Sequence, residues 1–399
     1  MSSVEIKKGI YWVGVVDWDI RYFHGPSYST HRGTSYNSYL IMDDQVTLVD
    51  AVFAPFAGEL MENIRSVVDP SRIDNVVVNH IETDHAGGLP VVLQAAPKAK
   101  IFCTAKAKAG LLKHFPEAKE WNFKVVKTGD TLPVGRRTLT FVEAPMLHWP
   151  DSMFTYIGEE ELLLPNDAFG QHLASGHRFD DEVDQHVLME EAAKYYANIL
   201  YPLSRMVLKK LEEVKGMNIP ISMIAPSHGI IWRGNPGKII QAYQRWASGE
   251  GQEKALVVYD TMWGSTATMA RAITEGLISE GIEARQYKIS KTDYSDVIKE
   301  MLEARLVVVG SSTIHRHFLA SLAPFLDEVG SLKPVKRMGA AFGSYGWSKG
   351  AVKGIEGRLQ GAGIELVKEG LELLWVPDEE EKKECFEWGR SLASFAKNK

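Results

Sequence analysis

The chain has 399 residues, 45% hydrophobic and 24% charged, with a formal net charge of −6. That balance is an ordinary globular one, long enough for two cores, and its mild acidity argues against nucleic acid or an anionic membrane as partner. No stretch approaches the ~20 consecutive apolar residues of a membrane helix, the first ten residues lack the apolar run of a signal peptide, and the two cysteines, Cys103 and Cys385, are too few for a four-thiolate metal site. A cytoplasmic protein is expected, with any metal held by histidine and carboxylate.

From the N-terminus, strand-like runs at residues 10–16, 39–42 and 46–49 precede a helical stretch at 56–67. Further strands are expected at 76–78, 100–103, 138–142 and 162–164, from β-branched and aromatic enrichment. Two antiparallel-looking groups with helices between them predict an αββα sandwich. The polar, glycine-containing stretch 247–254 follows an aromatic helix at 242–246 and is the expected seam, which separates domains of residues 1–249 and 254–399.

Beyond the seam, strands at 254–259, 285–289, 306–310, 337–342 and within 364–375 alternate with helical patterns. The first helix puts Met269, Ala270, Ile273, Leu277 and Ile278 on one face and stops at Gly281. The next carries Val297, Ile298, Met301 and Leu302, and others are expected at 318–329, 349–359 and 379–396, the last opened by the acidic run 378–381. Five strands alternating with five helices predict a doubly wound parallel sheet.

The densest chemistry is His80-Ile-Glu82-Thr-Asp84-His85, directly after the apolar run Val76-Val-Val and before Gly87 and Gly88. Four titratable side chains at one strand end would repel or stand unpaired unless something binds them. A divalent metal supplies that partner. A single histidine is more often structural, and this spacing reverses the expectation. Three later apolar runs end the same way: 141–144 leads to His148, 162–164 to Asp167 and 221–225 to His228. The repetition argues for one shared site.

The strand at 254–259 runs into Asp260-Thr261-Met262-Trp263-Gly264-Ser265-Thr266 ahead of its helix. Hydroxyls and backbone N–H groups at a helix N-terminus suit a phosphate. Without Gly-x-Gly-x-x-Gly or Gly-Lys-Ser/Thr, a dinucleotide or nucleoside triphosphate is disfavoured. Two more loops are expected at the same carboxyl edge: Gly310-Ser311-Ser312-Thr313-Ile314, and Phe342-Gly343-Ser344-Tyr345-Gly346-Trp347.

The first cluster resembles the leading motif of the metallo-β-lactamase superfamily, His-x-His-x-Asp-His, with Glu82 in place of the second histidine. That replacement is the signature of the flavodiiron proteins, and the hydroxyl-rich loop of the second half looks like the FMN-phosphate loop of flavodoxin. The resemblance covers essentially the whole chain. It implies two non-haem irons, one on His80, Glu82 and His148, the other on Asp84, His85 and His228, with Asp167 bridging. A carboxylate is harder and more anionic than imidazole, which favours iron over zinc. It also implies FMN held by Thr261, Met262, Trp263, Gly264, Ser265, Thr266, Ser311, Ser312, Thr313, Ile314, Ser344, Tyr345, Gly346 and Trp347, the last tyrosine and tryptophan walling the flavin ring.

His24 resembles a family residue that donates a hydrogen bond near the metals. Tyr195 and Tyr196 lie in the segment that brings a tyrosine to the pocket, and both stand as candidates; His172 is expected to be supporting or structural. His31, His114, His177 and His186 receive no role. The family more often has Gly-Ser-Pro-Thr at the second flavin loop. Here Ser312 is followed by His315-Arg316-His317, cationic groups expected to favour reduced flavin.

The resemblance implies an oxidoreductase that reduces O2 to water, NO to N2O, or both, in a head-to-tail homodimer or dimer of dimers that sets each FMN against its partner's diiron centre. The electrons would come from rubredoxin, another carrier protein or a reduced deazaflavin. No fused rubredoxin module is expected. Two other readings stay open: a dizinc hydrolase with a flavodoxin-like appendage, against which Glu82 counts, and a non-catalytic electron carrier, against which seven candidate ligands count.

Overall fold

The computed structural model describes residues 3–397. In the first half, alternating apolar residues build two sheets. The first runs in the order Val4–Lys7, Ile10–Trp12, Tyr39–Ile41, Val46–Val49, Ile73–Val77, Lys100–Cys103, Asn122–Val125. Its early pairs are antiparallel, and pairing becomes parallel from Val46–Val49 onward. The second runs Thr131–Pro133, Thr138–Glu143, Met153–Ile157, Leu162–Leu164, Met223–Ile224.

The period of two sorts the side chains. Trp12, Ile41, Val49 and Val77 point inward and share a core with Phe141, Met153, Leu162 and Leu164 of the second sheet. Leu40, Leu48, Val76 and Ile101 point the other way, against Leu60, Met61 and Ile64 of the helix Ala57–Arg65.

The single strand expected at 10–16 is two, Ile10–Trp12 and Val15–Asp17, and the second pairs with Thr34–Tyr36 in a separate ribbon. Gly14 lies at the break. A Cβ there would sit 2.3 Å from the Tyr36 carbonyl oxygen, so the two backbones approach too closely for any other residue.

In the second half the parallel order is Glu283–Lys288, Gln252–Asp260, Ala304–Ile314, Met338–Tyr345, Glu365–Leu366, with Leu371–Leu374 also on Met338–Tyr345. This is the doubly wound arrangement, with its switch point beside the central strand Gln252–Asp260. Met269, Ile273 and Leu277 of the helix Ser265–Ser279 share a core with Leu392 and Ala396 of the helix Glu379–Ala396. Asp378 caps that last helix in a reciprocal box: its carboxylate accepts from the Glu380 and Glu381 N–H groups while Glu381 accepts from the Asp378 N–H.

Two expectations change here. The strand expected to end at Gly310 continues to Ile314, turns at His315 and Arg316, and returns as His317–Phe318. The helix expected at 318–329 is therefore displaced to Ala323–Leu332, where Pro324 suits its first turn.

By contacts the chain forms two compact units. Two short segments of the first half, Pro26–Ser29 and Tyr196–Arg205, group with the second unit, whose main stretch begins at Gln244.

Candidate functional site

Strand ends deliver the chemistry. Ile73–Val77 leads to His80 and Glu82, and the short helix Thr83–Ala86 turns Asp84 and His85 back toward them. Thr138–Glu143, Leu162–Leu164 and Met223–Ile224 lead to His148, Asp167 and His228. All seven side chains come together. Donor atoms of His80, Glu82, His148 and Asp167 lie within 4.8 Å of one another, as do those of Asp84, His85 and His228.

Asp167 faces both groups. Its Oδ2 lies 3.2 Å from His148 Nε2 and 3.6 Å from His80 Nε2, while Oδ1 lies 3.0 Å from His85 Nε2 and 3.6 Å from His228 Nε2. Glu82 completes the first group at 3.3 Å from His148 Nε2, and Asp84 the second at 3.1 Å from His228 Nε2.

Two of the four rings, His80 and His228, are pinned on their far side. His80 Nδ1 donates to Asp151 Oδ2 at 2.9 Å, which also accepts the Ile81 N–H. His228 Nδ1 donates to the Ser35 carbonyl at 2.8 Å, and the Ser227 hydroxyl donates to Asp167 Oδ1 at 2.8 Å. Such bonds fix the tautomer and aim Nε2 at the centre.

The electrostatics call for positive charge. Burial by itself would lower the imidazole pKa values, but Asp151, Glu82 and Asp167 push His80 up to about 10. Carboxylates likewise outweigh burial to push His85 and His148 up to about 9. Burial would raise the Glu82 carboxyl, yet His148, His24 and His80 hold it far below the usual range. Asp84 Oδ1 and Oδ2, Asp167 Oδ2 and both nitrogens of His85 are buried with no hydrogen-bond partner among the described residues. Native interiors rarely leave such groups unsatisfied. Imidazole nitrogens with several carboxylates are a donor set that fits iron, so the residues present fit a pair of such ions.

His24 Nε2 lies 3.0 Å from Glu82 Oε1. The two tyrosines part company. Tyr195 ends the helix Gln185–Tyr195 and lies 5.1 Å, ring to ring, from His172 and 6.1 Å from His228. At Tyr196 the winding widens to a π turn, which sends that ring onto Trp246 and its hydroxyl to Ser204, 3.0 Å away. Of the pair, Tyr195 is the one beside the histidines. His172 bonds Thr34 at 2.8 Å through Nδ1 and lies 4.9 Å from the His228 ring.

Asp151, Ser35 and Ser227 went unassigned in the sequence, as did Phe23 and Trp149, whose rings pack on His228 and His80. Only Asp151 had a signal, a carboxylate three residues past His148. Ser35 acts through its main chain, which no side-chain pattern reveals.

In the second unit, Gln252–Asp260, Ala304–Ile314 and Met338–Tyr345 end side by side. The helix Ser265–Ser279 starts after Gly264 with no side-chain cap, which leaves its first N–H groups for an anion. Gly264 donates its N–H to Thr261 Oγ1 at 3.0 Å. Thr266 Oγ1 lies 2.8 Å from Ser312 Oγ and 3.0 Å from Ser344 Oγ, so these buried hydroxyls tie the start of that helix to the ends of Ala304–Ile314 and Met338–Tyr345.

Ser311 to Ile314 and Ser344 to Tyr345, expected in loops, belong to the strands. The ligand-facing loop begins later, at His315 and Arg316, both left-handed with φ of 48° and 61°. A cleft of about 450 Å³ opens there, lined by Met262, Thr313, Ile314, His315, Arg316 and Trp347 among others. Lys349 Nζ sits 5.1 Å over the Tyr345 ring, and Trp263 and Trp347 are 93% and 90% exposed. An uncapped helix start beside a cleft with an indole wall fits a phosphate joined to a flat ring, as in FMN.

The sequence model of the ODP family beta lactamase matches residues 34–229, and that of flavodoxin matches residues 257–389. The chain is 54% identical, over 98% of both chains, to a nitric oxide reductase of Moorella thermoacetica. It is 43% identical to the anaerobic nitric oxide reductase flavorubredoxin of Escherichia coli K12, over 98% of this chain and 82% of that one. Among solved structures it is similar to the rubredoxin oxygen:oxidoreductase of Desulfovibrio gigas (TM-score 0.96, 36% identity, 99% and 98% covered). A flavodiiron protein from Giardia intestinalis gives a TM-score of 0.95 at 36% identity, with 99% and 97% covered.

Proposed function

The chain belongs to the flavodiiron protein family, and from that premise we propose that it reduces NO to N2O, O2 to water, or both, with electrons that pass through FMN to a non-haem diiron centre. Asp167 carries the reading: one buried carboxylate offers a separate oxygen to each of two histidine–carboxylate groups, as a two-metal site requires. We assign His80, Glu82 and His148 to one iron, Asp84, His85 and His228 to the other, and Asp167 to both. FMN is assigned to the cleft formed by residues 261–266, 311–316 and 344–347. When bound, the irons supply the place where the diatomic is reduced, and FMN supplies electrons singly or in pairs.

The chain's own residues do the rest. Asp151 and Ser35 hold His80 and His228 with Nε2 inward. Ser227 steadies Asp167. His24, bonded to Glu82 and 38% exposed at its side chain, is placed to bring a proton from solvent. Phe23, Trp149 and Tyr195 wall the pocket with aromatic surface that limits water. A hydrolase is not favoured, because a carboxylate at position 82 suits a redox metal better than zinc.

We assign the diiron domain to residues 1–249 and the FMN domain to residues 254–399, in a head-to-tail homodimer or dimer of dimers, in the cytoplasm. No helix among the described residues is long and apolar enough to cross a membrane. The donor is a rubredoxin-like carrier or a reduced deazaflavin. The names of the relatives make NO the first substrate to test. Anaerobic protein reduced by rubredoxin, with NO and O2 consumption followed electrochemically, decides the matter: turnover of neither gas by iron- and FMN-loaded protein overturns the proposal.

A further inference from the structure

We propose that Trp375 is a positioning residue for the flavin cleft, holding the Gly346–Trp347 wall in place from behind; this rests on the FMN reading above. The strand Leu371–Leu374 runs parallel to the end of Met338–Tyr345, with Leu374 opposite Tyr345. At the next residue the chain turns left-handed, with Trp375 at φ 59°. A bulky residue rarely adopts that region, and it persists only where the surroundings hold it. Here the hold is visible. The Trp375 N–H donates to the Tyr345 carbonyl at 2.7 Å, and the indole lies against Gly346 so closely that a Cβ on the glycine would sit 2.8 Å from Cη2 and 2.9 Å from Cζ3. The Trp375 and Trp347 rings are 6.2 Å apart, tilted by 51°.

A core role does not explain this geometry. Trp375 is 58% exposed, more than a side chain placed to fill the interior would be. What the left-handed turn achieves is to carry the indole over Gly346. Gly346 and Trp347 line the cleft while Trp375 does not. A loop of glycine and a bare tryptophan would otherwise swing, and a ligand would have to order it on binding. Trp375 does that ordering in advance, and Gly346 is required because only a residue without Cβ leaves room for the indole.

The test uses the FMN-loaded protein and reads FMN release on dilution from the recovery of flavin fluorescence. Trp375→Ala should raise the FMN dissociation constant about tenfold, the scale of one newly mobile side chain, and shift the bound flavin's visible spectrum. Gly346→Ala should act in the same direction through the overlap with the indole. Trp375→Phe should restore most of the affinity, and the melting temperature of Trp375→Phe and Gly346→Ala should stay near that of the parent. Parent-like FMN retention in both Trp375→Ala and Gly346→Ala overturns the proposal, as does weakened binding that Trp375→Phe fails to restore. A parent protein that takes up no FMN overturns instead the FMN reading on which it rests.

Discussion

Buried carboxylates in the two units resolve the same problem in opposite ways. In the second unit Glu300 is held by the protein's own fixed cations: Lys254 Nζ, Arg285 Nη1 at 2.9 Å and Lys299 Nζ at 3.1 Å. In the first unit Asp84 and Asp167 are as deeply set and Glu82 is half-buried, yet the ion-pair partners of all three among the described residues are histidines. A chain with 45 lysines and arginines had fixed cations to place there. Imidazole differs from those in being able to give up its proton and remain a ligand. One cluster is closed on itself, and the other is built to trade protons for metal.

The sharpest break of this contrast is Asp167→Asn. If both irons share that carboxylate, turnover should fall by more than the roughly hundredfold that marks loss of an outer supporting bond, and iron content should drop while FMN stays bound. Metal and flavin analysis of the purified variant checks it; two irons retained per chain would refute the shared ligand. Lys254→Met attacks the other cluster. Leaving a buried charge with no partner costs about 3–5 kcal/mol; Arg285 and Lys299 stay on Glu300, so the loss should be smaller than that, and the denaturation midpoint should fall with iron content unchanged.

Asp151→Asn is gentler. It keeps the shape but loses the charge behind His80, and iron affinity measured by chelator competition should weaken about 10- to 100-fold. The smallest effect is a pH dependence. Burial would raise the Glu300 carboxyl, but Lys254 and Lys299 outweigh it and hold its pKa below the usual value. Its stabilising contribution is therefore present above the ordinary carboxylate pKa of about 4.3 and is lost as pH falls through the lowered native value. Glu300→Gln should flatten the acid limb of a stability–pH curve below about pH 4.5; an unchanged limb would place the acid sensitivity elsewhere.

The two candidate sites differed in how far they could be read from the chain. At the metal cluster, four polar side chains crowd one strand end and three more end later apolar runs, so charge density alone marks them. The pinning bonds were less visible, because Ser35 offers a main-chain carbonyl and Asp151 resembles any loop aspartate. Choosing Tyr195 over Tyr196 depends on a change of helical winding that adjacent tyrosines do not announce.

At the cleft the pattern marked the edge of the sheet but misplaced the loops. Ser311 to Ile314 read as a turn-forming polar run, yet pairing with Met338–Tyr345 and with the returning His317–Phe318 keeps them extended. Tertiary pairing overrode local preference there, and it also drew the following helix later by several residues. The break at Gly14 was equally hidden, since it depends on where Tyr36 passes.

The hydroxyls of Thr266, Ser312 and Ser344 have a consequence for how the cofactor comes and goes. They bond to one another across three separate strand or helix ends, so the rim they define keeps its spacing whether or not a ligand lies beyond it. The second unit should behave as a socket: flavin can be stripped and restored while amide hydrogen exchange at those ends stays as slow as in the filled protein, and a flavin lost in service is replaced without refolding.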